Sequence, residues 1–479
     1  MKTKLLVALG AVLLTNGINA QVNSNVFPST KNLYGNLKEV AFDTNSIMFG
    51  QEFYNTFLFP GNLTSNPDQS DCKNTTGKQP AVLGQDFQYY IDRADLKPNL
   101  VAGAKKAFSQ GSVVEICWHL KGKGIDANYT ANDYYLMYNI ANNYQNERNW
   151  LNGELDKVVS ILNNDLKIPV IVRLFHEMNG NWFWWGTQAY GGPTAYKGMY
   201  QYCVNYLKQR TNYALFAWTP GYPFTGTDNY PPGLNYYPGN SYVDVVGMDM
   251  YDQDTSSGKS FDVMVDQVTA VSDFAYSNNK IPILAETGNR VNSPDVDSWW
   301  WYRLNAKLQA SNRAFKIAYM LTWLNTSYGN LKHIPYVPYY PGSSGQAVNG
   351  FNDFVNMPTI LMQPGAAARN MYDYSYKTNN ISSTSKLVAN NKEDKTSDSY
   401  FVSIYPNPVR GESFSVNVGT SVNKDVTITV TDLVGHTVMT KDSKDAQLVT
   451  IPVSGLSKGI YLVKIVSDEL NETQKVIIQ

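Results

Sequence analysis

Between residues 21 and about 376, short apolar runs alternate with polar or helix-like stretches. The clearest run is Pro169–Phe175. Ser112–Trp118, Tyr213–Trp218, Tyr242–Met250, Lys280–Ala285 and Phe315–Trp323 follow the same pattern, and Ser46–Gln51 and Pro80–Gln85 are weaker versions of it. Near-continuous apolar runs, rather than strict alternation, suit parallel strands buried on both faces. Amphipathic stretches such as Glu154–Asn163 and Thr194–Gln209 fit the intervening helices. Eight such strands alternating with helices predict an α/β fold, a (β/α)8 TIM barrel with long loops. A doubly wound open sheet is the rival, but no Gly-rich phosphate loop follows an early strand.

The pattern changes at both ends. Residues 1–20 begin with Lys2 and Lys4, continue through an apolar stretch from Leu5 to Leu14, and reach Ile18-Asn19-Ala20 before Gln21. That is the layout of a signal peptide, and it predicts a secreted protein. Its apolar run is too short to span a bilayer, and no later run is long enough, so no transmembrane segment is expected. Residues 377–399 are Ser, Thr, Asn and Lys with almost nothing apolar, and read as a linker. Residues 400–479 form short alternating runs at Phe414–Val418, Val426–Thr431, Leu448–Val453, Ile460–Val466 and Lys475–Ile478, separated by turn residues. These predict a small all-β sandwich. The barrel domain would then occupy residues 21–376.

Composition narrows the function. The chain carries 39 basic and 40 acidic side chains, for a net charge of −1. No basic stripe is available to neutralise phosphates, so nucleic acid is not an expected partner. Charged residues make up only 16%, while aromatics reach 13%. Rings that pair an apolar face with a polar tip suit wet binding surfaces, and sugars are a natural occupant. The three cysteines, Cys72, Cys117 and Cys203, make neither a zinc motif nor a disulfide framework. An odd count allows at most one intrachain disulfide, and Cys117 reads as a buried small residue.

In a TIM barrel the functional groups lie at the C-terminal ends of the strands. Successive apolar runs here end in Trp118-His119, in His176-Glu177, in Trp218, in Asp249 and Tyr251, in Glu286 and in Trp323. Glu177 and Glu286 stand out. A carboxylate after an aliphatic run cannot lie unpaired in the core, because desolvation costs too much, so it must point into the mouth or into a paired network. Two carboxyls facing one another across a cleft are what glycoside hydrolysis needs. The competing explanation is a pair of structural ion pairs. His176-Glu177 invites a zincin reading, but that motif needs a second His where Gly180 stands, so no metal and no cofactor are expected. Asn181-Trp182-Phe183-Trp184-Trp185 fits neither helix nor strand periodicity, so some of its rings should be stacking platforms and at least one a loop anchor. Trp299-Trp300-Trp301 lies in a helix-like stretch and reads mostly as packing.

The segment Arg173-Leu174-Phe175-His176-Glu177-Met178-Asn179-Gly180-Asn181-Trp182-Phe183-Trp184-Trp185-Gly186 resembles the acid/base segment of glycoside hydrolase family 26. Leu284-Ala285-Glu286-Thr287-Gly288 resembles that family's nucleophile segment, and Gly247–Tyr251 and Trp118-His119 fit further family segments. The resemblance covers most of residues 40 to 375. It implies a secreted, retaining endo-β-1,4-mannanase on a TIM barrel, with a β-mannan-type polysaccharide as substrate. Same-family enzymes on β-1,3-xylan or mixed-linkage β-glucan are an alternative, as is a non-catalytic surface glycan-binding protein. Carried over by position, Glu177 is the acid/base and Glu286 the nucleophile. Arg173 and Tyr251 would bond the nucleophile, and Asp249 would support that network. His119 and His176 would contact the sugar, and Trp182, Trp218 and Trp323 would line neighbouring subsites. At the C-terminus, Tyr405–Pro408, Asp432–Gly435 and Leu456–Lys464 resemble the sorting domain of the type IX secretion system, which implies export by that machinery, through the periplasm to the cell surface or beyond. A carbohydrate-binding module is the alternative there, and the absence of Trp from this region weighs against it.

Overall fold

A computed structural model describes residues 21–373, apart from 125–127, 131–132, 227, 229, 253–260, 290–297, 329–330, 335, 340–341 and 344, and most of 403–478. The signal segment 1–20, the linker 377–399 and parts of the tail motifs (406–408 and 433–435) lie outside the described residues. The chain divides into two compact units, residues 1–376 and 377–479.

The first unit is a closed barrel of parallel strands: β1 (Ile47–Glu52), β2 (Val82–Asp86), β3 (Val113–Trp118), β4 (Val170–Leu174), β5 (Ala214–Trp218), β6 (Val245–Asp252), β7 (Ile281–Asn289) and β8 (Tyr319–Thr322). Each pairs with its sequence neighbour, and β8 returns to β1 with Met48 opposite Tyr319. All eight apolar runs are therefore barrel strands. The stretches expected to be helical lie mainly in Gln145–Ser160, which continues as a π-helical turn Ile161–Leu166, and in Gly192–Lys208. Among the described residues, no helix is long and apolar enough to cross a membrane.

Side chains on a strand alternate between two faces, and the alternation divides the barrel core in two. Met48, Val82, Val113, Ile171, Leu215, Val245, Ile283 and Leu321 form an inner cluster. Leu33, Leu37 and Val40 of the N-terminal helix α1 (Pro28–Asp43) join it. Most of these residues lie in the first half of their strands, so α1 packs against the N-terminal end of the barrel and leaves the C-terminal end for chemistry. The other parity packs outward against the helices: Phe49, Leu83, Ile116, Trp118, Val172, Phe216, Trp218 and Met248.

The second unit holds a three-stranded and a four-stranded antiparallel sheet. Strands β9 (Ser403–Tyr405), β10 (Ser413–Asn417) and β13 (Leu448–Pro452) form the first. Strands β11 (Val426–Thr431), β12 (Thr437–Ser443), β14 (Gly459–Val466) and β15 (Asn471–Ile478) form the second. Phe414, Val416, Ile428, Val430, Ile451, Val463 and Ile465 share one core. Two of these strands go beyond the sequence expectation. β9 is only three residues long, and β12 is an edge strand with no fully buried side chain, so it lacks the apolar alternation that marks the others.

Candidate active site

The C-terminal mouth of the barrel holds a cavity of about 510 Å³. Glu177, Glu286, His119, His176, Asp249, Tyr251, Trp182 and Trp323 all line it. They come from β3, β4, β6, β7 and β8 or the residues just past them, which converge only because the barrel closes.

Arg173, on β4, shares the inward parity of Ile171 and is fully buried beneath this floor. It is surrounded by four carboxyls. Its Nη2 donates to Glu286 Oε1 at 2.6 Å and its Nη1 to Asp249 Oδ2 at 3.0 Å. Its Nε lies 2.7 Å from Glu115 Oε1, and Glu52 Oε1 lies 3.7 Å from Nη2. One guanidinium cannot offset four buried negative charges. Burial raises the pKa of Glu52 and Asp249 well above the carboxylate range, and neighbouring carboxyls add to the rise, while Arg173 opposes it. Burial also raises Glu115, against Arg173 and a hydrogen bond from Tyr319. Protons thus stay on part of the cluster. Glu286 accepts a second bond, from the Tyr251 hydroxyl at 2.9 Å. A carboxylate held by a guanidinium and a phenol is fixed in orientation.

Glu286 reaches the mouth through an irregularity. Met248 pairs with Leu284 but Asp249 pairs with Glu286, so Ala285 is an extra residue in β7. Ala285 already faces the inner cluster. Strict alternation would turn Glu286 outward, and the bulge re-aims it into the cleft.

Glu177 is positioned by the sharp turn that follows β4. Phe175 and Glu177 both have positive φ, at 47° and 53°. Such backbone costs non-glycine residues roughly 1–3 kcal/mol and persists only where the surroundings enforce it. Here the Glu177 N–H donates to the Thr219 carbonyl at 2.9 Å, and the Asn179 amide donates to Gly221 O at 2.9 Å. Gly180 has a steric role. A Cβ there would fall 2.2 Å from the Trp182 ring, so only glycine lets that indole fold back. Trp182 Nε1 then donates to Glu177 Oε2 at 2.7 Å.

The two histidines stand edge to face, 4.6 Å apart. His119 Nδ1 bonds Asp86 Oδ2 at 2.9 Å. Burial alone would lower the His119 pKa, but the Asp86 charge and hydrogen bond, with Glu286, outweigh it and the net shift is upward. His176 is driven well below the ordinary imidazole range by burial, and Arg173 and His119 push the same way. One histidine favours the cation and its neighbour the neutral ring.

Two groups among the described residues bring potential metal-ligand atoms within 4.8 Å of one another: Asp86, Cys117 and His119, and His176, Asp249 and Glu286. Hydrogen bonds already engage members of both. His119 Nδ1 is engaged by Asp86, while Asp249 and Glu286 are held by Arg173. Cys72, Cys117 and Cys203 are all buried and free, so the chain has no intrachain disulfide among them.

One expectation requires correction and others are sharpened. Trp218 does not line the cleft. It shares its parity with Ala214 and Phe216, faces the helix layer, and packs against Phe224 and Tyr237 with ring centroids 6.0 and 5.1 Å away. Trp323 has the parity of Tyr319 and Leu321 and does reach the mouth. Arg173 bonds Glu286, as the resemblance implied, but does so from beneath the floor, where it cannot itself meet a sugar. In the run after Glu177, Trp182 and Phe183 line the cavity, whereas Trp184 and Trp185 are buried anchors whose Nε1 groups donate to Leu120 O and His176 O, both at 2.8 Å. Trp300 and Trp301 are packed, as their helix suggested, and Trp299 is exposed. Sequence reasoning missed Tyr129, Tyr222, Asp228 and Tyr230 of the rim, and Asp86, Glu52 and Glu115 below it. The rim residues sit in loops without periodicity. The other three do end or interrupt apolar runs, which is the same signal that pointed to Glu177.

A closed (β/α)8 barrel with paired carboxyls at its mouth defines a class, and comparison with known proteins gives the family. Residues 22–324 match the model of glycosyl hydrolase family 26, and the chain belongs to that family. Residues 403–479 match the secretion system C-terminal sorting domain. A mannan endo-1,4-beta-mannosidase of Bifidobacterium adolescentis is 30% identical over 389 residues, which is 75% of this chain and 37% of that protein. One of Bacillus subtilis strain 168 is 26% identical over 288 residues, covering 55% of this chain and 75% of its own. The catalytic domain of a GH26 endo-beta-1,4-mannanase from Bacillus sp. JAMB-750 superposes with a TM-score of 0.64 at 25% identity, over 74% of this chain and 96% of its own. The chain thus spans little more than a third of the Bifidobacterium relative.

Proposed function

We propose that this protein is a secreted endo-β-1,4-mannanase that works by double displacement with retention of configuration. The observation that carries the reading is Glu286, gripped by Arg173 and Tyr251 and sharing one cavity with Glu177 and the rings of Trp182 and Trp323. Glu286 attacks the anomeric carbon while Glu177 gives its proton to the leaving glycosidic oxygen, forming a covalent glycosyl-enzyme. Glu177 then takes a proton from water, which releases the sugar. Arg173 and Tyr251 hold the attacking oxygen in line, and His119 and His176 meet the sugar hydroxyls. The mannanases among the relatives support mannan as substrate. The match of residues 403–479 supports export by type IX secretion to the cell surface or beyond. Residues 1–20 would be removed on the way, and 377–399 would join two separately folded domains.

Reducing-sugar release from galactomannan, glucomannan, β-1,3-xylan and lichenan tests the substrate, with release from the mannans expected to dominate. No release from any of them would favour a glycan-binding protein. Replacing the acid tests the roles. Glu177→Ala should lose roughly 10²- to 10⁴-fold on mannan but far less on an aryl mannobioside, whose leaving group needs no proton. Equal losses on both substrates would remove Glu177 from the acid role.

A further inference from the structure

The loops that follow β3 and β4 carry a second group of rings outside the cavity. Tyr134, Tyr135 and Tyr190 are 54%, 55% and 44% exposed, although they touch one another. Their centroids lie 4.8 Å apart for Tyr134 and Tyr135, 5.8 Å for Tyr134 and Tyr190, and 5.2 Å for Tyr135 and Tyr190. Interplanar angles of 87°, 49° and 51° mean that no ring lies flat on its neighbour, so ring faces stay open to solvent. The cluster is braced from within the protein. Half-buried Tyr138 packs edge-on against Tyr190 at 4.9 Å, and Gly191 leaves it room, since a Cβ there would come within 2.9 Å of the Tyr138 ring. The two loops are already joined by main chain, because the Tyr190 N–H donates to the Tyr134 carbonyl at 2.8 Å. Holding the loops together therefore does not require exposed rings. Grouped exposed aromatics on a soluble surface mark a contact site.

Continuity with the cleft indicates the occupant. Tyr129, five residues before Tyr134, lines the cavity, as does Phe183 on the loop that carries Tyr190. Thr130 and Phe183 form a β-bridge between the two loops. The same two loops thus carry rings of the catalytic cavity and the exposed tyrosines. Neutral rings with hydroxyl tips stack on the C–H faces of sugars and hydrogen-bond their hydroxyls, with no need for charge.

We propose that Tyr134, Tyr135 and Tyr190 form a polymer-binding platform that holds a β-mannan chain outside the catalytic cavity. This rests on the proposed action on mannan. The test uses the full chain and a Tyr134→Ala/Tyr135→Ala/Tyr190→Ala variant, in native gels containing galactomannan and in kinetics on galactomannan and mannotetraose. Each lost aromatic contact should cost about two- to tenfold. The variant should therefore be retarded less than the parent and show KM for the polymer raised roughly tenfold or more, while its turnover of mannotetraose stays unchanged. Undiminished retardation of the variant would overturn the platform. So would equal losses on polymer and tetrasaccharide, which would place the rings in the cleft or in folding. An oligomer that dissociates in the variant while polymer affinity survives would assign the patch to a second copy of the chain. A wild-type chain that is retarded by galactomannan but cleaves no mannan would keep the platform and refute the mannanase reading, and one that neither binds nor cleaves would refute both.

Discussion

Single residues at this site act through what holds them. Glu177 depends on a glycine three residues on, because Gly180 admits the indole that reaches its carboxyl. His119 depends on Asp86, which lies 33 residues earlier. The sequence motif around Glu177 was legible because its parts are consecutive. Asp86 closes an apolar run too, but its pairing with His119 was not legible, because that partner is reached only across adjacent strands. The pair yields a prediction with a definite sign. The folded pKa of His119 is raised, so the ion pair stabilises the protein fully below the ordinary imidazole pKa of about 6.5 and less as pH rises through the folded value. Asp86→Asn keeps a side-chain oxygen for the Gln88 and His119 amides but removes the charge. The variant should be less stable than the parent in mildly acid solution, with the gap closing toward alkaline pH. Urea unfolding across that range measures it, and a gap that widens as pH rises would contradict the assignment.

At the scale of elements, strand parity decides which rings matter. Trp218 and Trp323 both close apolar runs, so a reading by strand ends treats them alike. Counting by twos from the inner residues separates them: Leu215 and Ala217 face in, so Trp218 faces out, while Tyr319 and Leu321 face in and carry Trp323 with them. That distinction was available in the sequence once the strand's facing was known. The bulge at Ala285 was not, because an extra residue on one strand shows only in its pairing with the next. The two tryptophans should respond oppositely to truncation. Trp218→Ala opens a cavity in the helix-facing core and should cost about 3–5 kcal/mol of stability, with KM for mannan little changed among molecules that remain folded. Trp323→Ala should leave the melting temperature nearly unaltered and raise KM severalfold. Paired melting curves and kinetics check both, and a Trp218→Ala variant of normal stability with raised KM would place that ring in the cleft.

At the scale of the whole molecule, the barrel and the β-rich tail each have their own core. Among the described residues each apolar cluster is drawn from one unit, so each unit should fold without the other. A chain ending at residue 376 should hydrolyse mannan at the rate of the full chain yet fail to reach the cell surface in a host with type IX secretion. Activity assays on the purified protein and fractionation of cells measure the two halves. A truncated chain that is exported normally would remove the sorting role from the tail.

The sequence by itself determined the alternation of strands and helices, the order of the barrel strands, the two carboxyls at the mouth and the family to which the chain belongs. These follow from local periodicity and from consecutive motifs, which do not depend on distant contacts. Only the tertiary structure decided which tryptophans face the cleft, how Glu286 turns inward, and that four buried carboxyls share one arginine. Those features arise where the barrel closes and brings β1, β3, β4, β6 and β7 together around Arg173. The energy of a buried charge is set by such long-range neighbours and not by the residues beside it in the chain.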